Sequence, residues 1–328
     1  MSKDLEKKPL KYGYYNTIKC TKVEWLWYPY IPYGKITIIQ GDPGEGKSTF
    51  AMNIAALVTQ GGFLPFTGQH VQPGKVVYQN SEDGKEDTIV PRLKACGADL
   101  KQVAYIDEYV SSLAMDDSRL DKVLEETRAK VLILDPIQAY FGEGTDMNRA
   151  NDIRPIMQRL SKMASVRGCA VILIGHMSKS KTATGIYRSL GSIDIPAAAR
   201  SVLLISKMEG EDGDKRILAQ IKNNLAPLGE SLVFKIIDGG QIVFKRKSKL
   251  TAEQVIEEDF DNPNSKCTRA IDMIEEMLAD GEVLGKDVIE SCKKLGMSER
   301  TINEAKAKLG VKSIKKKDGW YWTNGTKD

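Results

Sequence analysis

The residues Gly41-Asp42-Pro43-Gly44-Glu45-Gly46-Lys47-Ser48 satisfy the spacing G-x-x-x-x-G-K-[ST], between an apolar run and an amphipathic stretch that stops at Gly61-Gly62. That context gives the motif its chemistry. Its glycines let backbone N–H groups converge on a β-phosphate at a helix N-terminus, Lys47 reaches the β/γ oxygens, and the Ser48 hydroxyl can ligate Mg²⁺. Gly41 to Ser48 together with Thr49 form the candidate nucleotide-binding set for ATP, with Arg92 as a further phosphate contact.

A magnesium site needs a carboxylate at the end of a buried strand, and Val131-Leu132-Ile133-Leu134-Asp135-Pro136 supplies one downstream, so Asp135 joins Ser48 as the metal pair. The competing reading of Asp135 is a strand-terminating Asp-Pro turn. Hydrolysis also needs a base. Tyr78-Gln79-Asn80-Ser81-Glu82-Asp83 presents two carboxylates where a second strand leaves the sheet, with Glu82 as the candidate; helix capping by Ser81 or Asp83 is the structural alternative. A base on the strand after the phosphate-loop helix points to the RecA-like branch of P-loop proteins, with AAA+ proteins and small GTPases fitting less well.

These side chains need a sheet to hold them. From Lys35 to Phe244 short apolar runs alternate with longer amphipathic stretches, as in strands joined by crossover helices. Strands are expected at 36–40, 76–79, 103–106, 131–134, 171–174, 202–205 and 218–221, followed by a hairpin of 232–237 with 241–244. The expected class is α/β, a mainly parallel sheet flanked by helices, with a small C-terminal unit. An N-terminal extension (1–24) precedes the ATPase domain (25–246), and a linker (247–264) leads to the last unit (265–328). In that unit, helical spacing at Ala270–Leu278, Leu284–Leu295 and Ile302–Leu309 precedes a hairpin around Lys315-Lys316-Lys317-Asp318-Gly319, the order of a winged helix.

The chain resembles the RepA-type branch of hexameric RecA-fold ATPases, the helicase-like proteins of plasmids, phages and prophages. The resemblance spans roughly Trp25 to Phe244. It rests on Trp25-Leu26-Trp27, Pro32-Tyr33-Gly34-Lys35, the phosphate loop, Ser81-Glu82-Asp83, Leu134-Asp135, Gly175-His176-Met177-Ser178-Lys179, Gly191-Ser192 with Ala197–Arg200, and Lys222-Asn223-Asn224. It implies a RecA-like core, Glu82 as base and His176 as a strand-end sensor of γ-phosphate. It further implies ATP held between subunits of a homo-oligomeric ring, with Arg200 and Lys222 as cations offered to a neighbour. A histidine leaving an apolar strand at the carboxyl edge of a sheet also sits where ligands bind in open α/β folds.

Two segments carry the nucleic-acid expectation. In this fold class the loop Ser178–Ser192, with Lys179, Lys181 and Arg188, lines a channel for single-stranded DNA. The loop Tyr140–Asn151 holds Arg149 but also two acids, a weaker case. The third C-terminal helix, capped by Ser298, offers Arg300, Asn303, Lys306 and Lys308, with Lys316 in the wing, as a duplex-DNA face; Trp320 and Trp322 alternate onto one strand face as core plugs.

Composition sets the outer bounds. Of 328 residues, 41% are hydrophobic and 28% charged, which suits a packed core and excludes disorder. The net charge of 48 − 44 = +4 makes any DNA contact a matter of local patches. Five scattered cysteines and two histidines disfavour structural zinc, and with no secretory or spanning segment legible they predict a cytoplasmic protein with no membrane role. The function expected is an ATP-hydrolysing DNA motor of a mobile element; a DNA-binding regulator or recombination mediator switched by ATP is the second reading.

Overall fold

Six apolar runs make the centre of the molecule in a computed structural model, which describes residues 12–142, 144–177, 192–208, 215–256, 263–279, 281–294, 296–316 and 318–323. The chain begins with β1 (Trp25–Trp27), β2 (Ile31–Pro32), β3 (Ile36–Gly41), α1 (Lys47–Gln60), β4 (Gly62–Phe63), β5 (His70–Val71) and β6 (Val76–Asn80). It continues through α2 (Val90–Ala95), β7 (Val103–Ala104), α3 (Ser118–Thr127), β8 (Val131–Asp135), α4 (Ala150–Arg167), β9 (Ala170–His176) and α5 (Asp194–Ala198). Next come β10 (Ser201–Lys207), β11 (Lys215–Asn223), β12 (Ser231–Ile236), β13 (Ile242–Ser248) and α6 (Ala252–Ile256). The chain closes with α7 (Pro263–Met277), β14 (Val283–Leu284), α8 (Gly285–Lys294), α9 (Glu299–Leu309), β15 (Lys312–Lys316) and β16 (Gly319–Thr323).

Among the described residues the large sheet has nine strands in the order β13-β12-β11-β10-β3-β9-β8-β6-β7. The six from β10 to β7 are parallel, and β11, β12 and β13 extend it antiparallel. β3, β8 and most of β9 are buried along their length because helices cover both faces, which is why their sequences read as unbroken apolar runs. One face packs on α1, where Phe50 lies between Trp27 and Phe234 at ring-centroid distances of 6.2 and 5.8 Å. The other face packs on α3, α4 and α5. Because β3, β6, β8 and β9 run the same way, their last residues, Gly41, Asn80, Asp135 and His176, share one edge of the sheet. This is the expected RecA-like core.

A separate apolar cluster, including Ile274, Val288, Cys292, Ile302, Ala305 and Trp322, joins α7, α8 and α9 to a small sheet in the order β14-β16-β15. Ser298 caps α9 by accepting from the Thr301 N–H at 3.2 Å. The structure departs from the expected linker. β13 runs through the anticipated boundary to Ser248, and Leu250 and Ala252 are buried against the sheet margin. There Asp272 of α7, 2% exposed, pairs with Arg246 at 3.1 Å and accepts from the Ser248 hydroxyl, while Lys215 pairs with Glu276 at 2.8 Å. The basic run Lys245-Arg246-Lys247 looks like linker in a sequence because its charge partners lie on another element.

Candidate functional site

β3 ends in Gly41, whose backbone approaches the Ile205 carbonyl of β10 so closely that a Cβ would overlap the oxygen. The loop then passes through exposed Asp42, Pro43 and Gly44 to Gly46, in the left-handed region at φ 92°, where a Cβ would meet Ile236 Cδ1 at 2.6 Å. α1 starts there with no side-chain cap, so its first N–H groups are available to an anion. Lys47 is 4% exposed and donates to the Asp42 carbonyl at 2.8 Å. Burial lowers its pKa, opposed by the carboxylates of Asp135, Glu45, Asp42 and Glu82.

Asp135 closes β8 at 3% exposure and accepts from the Tyr78 hydroxyl at 2.8 Å. Burial raises its pKa, offset in part by hydrogen bonds from Tyr78, Ser48 and Asn80 and by the charge of Arg92. Ser48 and Asp135 thus stand together as a hydroxyl and a carboxylate. Among the described residues no cluster of three or more His, Cys, Asp or Glu is arranged to hold a metal unaided. One carboxylate plus one hydroxyl suits Mg²⁺, a hard cation that keeps waters and shares its shell with phosphate oxygens.

The turn after β6 carries Glu82. Asn80 Oδ1 accepts from the N–H groups of Glu82 and Asp83 at 3.0 and 2.7 Å, and the Ser81 N–H donates to the Asp135 carbonyl at 3.2 Å. The result holds Glu82 exposed beside the strand that ends in Asp135. Neither Ser81 nor Asp83 caps a helix: the following helical turn has Gly84 at its N-cap, and Asp83 instead pairs with Arg92 at 3.4 Å. Arg92 also donates to Thr49 Oγ1 at 3.1 Å, bridging the start of α1 to the Glu82 turn. His176 ends β9 in register with Gly41, its buried Nδ1 without a hydrogen-bond partner.

Arg200 and Lys222 lie elsewhere. The Arg200 N–H donates to the Ile36 carbonyl at 2.9 Å, and Lys222 pairs in register with Val202, which puts both at the amino edge of the sheet. Five residue steps of β3, roughly 17 Å, separate that edge from Gly41. Arg200 is exposed, but Lys222 donates to the carbonyls of Pro196, Ala197 and Ala199 at 2.8, 3.2 and 3.0 Å, ending α5. Burial and the Arg200 charge lower its pKa. The cations beside the phosphate loop are others. Arg216 Nε donates to the Glu45 carbonyl at 3.1 Å; the Lys207 backbone N–H donates to the Glu45 carboxylate, and its ammonium lies 3.8 Å from where a Cβ on Gly44 would sit. Sequence reasoning missed both because the apolar runs of β10 and β11 stop short of them; period-2 alternation extended through Lys215-Arg216-Ile217-Leu218 would have reached Arg216.

Lys179, Lys181 and Arg188 lie outside the described residues. Arg149 pairs with Asp146 at 3.3 Å. On α9, Arg300 and Asn303 are exposed, whereas Lys308 pairs with Glu304 at 2.9 Å and Lys306 lies 4.3 Å over the Trp322 ring and bonds Ser313. Lys316 pairs with Glu282. Trp322 is a core plug at 4% exposure, but Trp320 is not, at 57%. Its alternation puts it on the correct face, yet the cluster beneath ends at Trp322.

Among the described residues no helix is long and apolar enough to cross a membrane. The family model AAA_25, described as "AAA domain", matches residues 5–182, more than half of the chain. The chain is 27% identical over 218 residues to DNA repair protein RadA of Brucella abortus, covering 63% of this chain and 40% of that one. Identity to RadA of Aquifex aeolicus is 25% over 211 residues (63% and 41%), and to RadA of Streptococcus pneumoniae 21% over 224 residues (67% and 47%). The chain therefore spans less than half the length of these curated relatives. A KaiC-like protein from Pyrococcus horikoshii OT3 superposes with TM-score 0.48 at 20% identity, over 66% of this chain and 91% of that one. The phosphate loop, the paired Ser48 and Asp135 and the family match agree, and this chain belongs to the AAA_25 family, with a RecA-like P-loop ATPase core.

Proposed function

We propose that the chain is an ATP-hydrolysing DNA motor of a mobile element, a helicase or DNA-remodelling ATPase that works as a homo-oligomeric ring, hexameric by resemblance. The observation that carries the hydrolytic half is the convergence of Lys47, Ser48, Asp135 and the Glu82 turn on one sheet edge. Backbone N–H groups at the start of α1 hold the β-phosphate, and Lys47, released from the Asp42 carbonyl, turns to the β/γ oxygens. Glu82 takes the proton of the attacking water, and His176 Nδ1, unpaired in the free protein, finds its partner at the γ-phosphate or that water. Magnesium bound through Ser48 and Asp135 supplies charge neutralisation along the phosphate chain.

Arg200 and Lys222 stand too far from Gly41 to serve the same subunit's phosphates, so in this reading they serve a neighbour's, and Lys222 must leave its α5 carbonyls to do so. Single-stranded DNA meets the Ser178–Ser192 segment and duplex DNA the C-terminal unit of winged-helix order, with the division between the two units inside 247–264 and beyond the end of β13. The similarity to proteins named for DNA repair favours a second reading, an ATP-switched recombination mediator without unwinding.

ATP turnover with and without single-stranded DNA, alongside solution mass with a non-hydrolysable nucleotide, tests the proposal. Stimulated turnover and a multi-subunit mass are expected; a monomer indifferent to DNA overturns it. Glu82→Gln is expected to bind ATP as the wild type does while turnover falls by about 100-fold or more.

A further inference from the structure

The tip of the C-terminal hairpin is assembled unlike a core. In the β15/β16 register Ser313 faces Trp322 and Lys315 faces Trp320, so both indoles lie on the side that α8 and α9 cover. Trp322 fills that side: a Cβ on Gly285 would come within 2.5 Å of its Nε1. Two residues earlier the cover has run out, and Trp320 is 57% exposed, its apolar burial left unrealised. Its surroundings are cationic. Lys315 Nζ stands 5.9 Å from the ring centroid, and β15 is exposed from end to end.

The cations that a helix-in-groove contact would use are largely engaged within the protein: Lys306 on Trp322 and Ser313, Lys308 on Glu304, Lys316 on Glu282. Lys315, on the Trp320 side of the hairpin, has no carboxylate partner among the described residues. An exposed π-face with an ammonium group beside it matches a ligand that carries both a flat ring and a phosphate. Duplex DNA hides its ring faces within the stack, whereas unpaired nucleotides offer them, and stacking on an aromatic side chain with backbone neutralisation by lysine is how such strands are held.

We propose that Trp320, with Lys315, is a stacking site for unpaired nucleotides. It deepens the nucleic-acid half of the function proposed above and rests on it, turning the C-terminal unit from a reader of duplex into a holder of single strand.

The test uses the full chain, an oligothymidylate and a blunt duplex of equal length. Oligothymidylate is expected to quench an emission component that wild type shows and Trp320→Phe lacks. Trp320→Ala is expected to weaken oligothymidylate binding between about 5- and 100-fold while sparing duplex binding; Trp320→Phe, which keeps a ring, retains most of the affinity. Lys315→Met is expected to reduce the salt dependence of oligothymidylate binding by about 0.7 in log–log slope. Basal ATP turnover and Tm stay at wild-type values in all three. Equal oligothymidylate binding by wild type and Trp320→Ala, or equal loss on both probes, overturns the site while leaving the proposed function standing. An indole left unquenched by bound oligothymidylate assigns the ring to a protein contact and also overturns it. Wild type that binds no oligothymidylate overturns the nucleic-acid reading itself.

Discussion

Asp135 and Gln40 show what single side chains sacrifice to the site. The Asp135 carboxylate is held where burial favours its protonated form, so its folded pKa lies above the unfolded value. A raised folded pKa means stability is full below the unfolded carboxylate range and is lost as pH rises through the folded value. Asp135→Asn escapes that loss. Its melting temperature is therefore expected to exceed wild type at pH 7, with the margin closing as pH falls through the raised value toward the ordinary carboxylate range. Magnesium-dependent turnover is expected to disappear, and thermal melts across pH with a turnover assay check both. Gln40, 1% exposed on the strand that feeds the phosphate loop, has neither amide atom paired. A buried polar group left unpaired costs roughly 1–3 kcal/mol. Gln40→Met, near in shape, is expected to melt higher than wild type, and an unchanged or lower midpoint rejects the assignment. Asp135 was legible in the sequence because a carboxylate ends an apolar run; the strain on Gln40 was not, because nothing in Ile-Ile-Gln-Gly says which neighbours lack polar atoms.

Parallel strands made most elements readable. β3, β6, β8 and β9 are apolar on both faces because helices sit on both, and that pattern stands in the sequence without any partner known. What the sequence hides is antiparallel register, which alone brings Arg216 opposite Lys207 at the phosphate loop and Lys222 opposite Val202 at the far edge. Lys222 then ends a five-residue helix that has little stability of its own, donating to three carbonyls in its last turn. Lys222→Met is expected to lower stability by about 1–2 kcal/mol, seen as an earlier melt and faster amide exchange over 194–199. A melt identical to wild type would show that those carbonyls do not need the ammonium.

The C-terminal unit and the ATPase sheet meet through charge rather than through a continuous apolar core. Asp272 is the centre of that contact, taking Arg246 and Ser248 at once from β13. Asp272→Ala leaves Arg246 with the 3.5 Å contact to Glu276 as its one ion pair among the described residues, at an expected cost of about 3 kcal/mol, the low end of the range for breaking a buried pair because Arg246 keeps some water. Hydrogen exchange is expected to rise in β13 and α7 while β3 and β8 stay protected; uniform protection would reject the docking role. The two-part layout was legible from composition, but the seam was not, since Arg246 looks like any solvated cation until Asp272 is placed beside it. β11 joins this seam to the phosphate loop by parity alone: Lys215 points to α7 and Arg216, the next residue, to Glu45 on the opposite face. A single amino acid inserted just after Arg216 would slip the strand by one place and turn each cation to the opposite face, whereas two inserted would return each to its own face. Length variation along this strand is therefore expected to come in even steps.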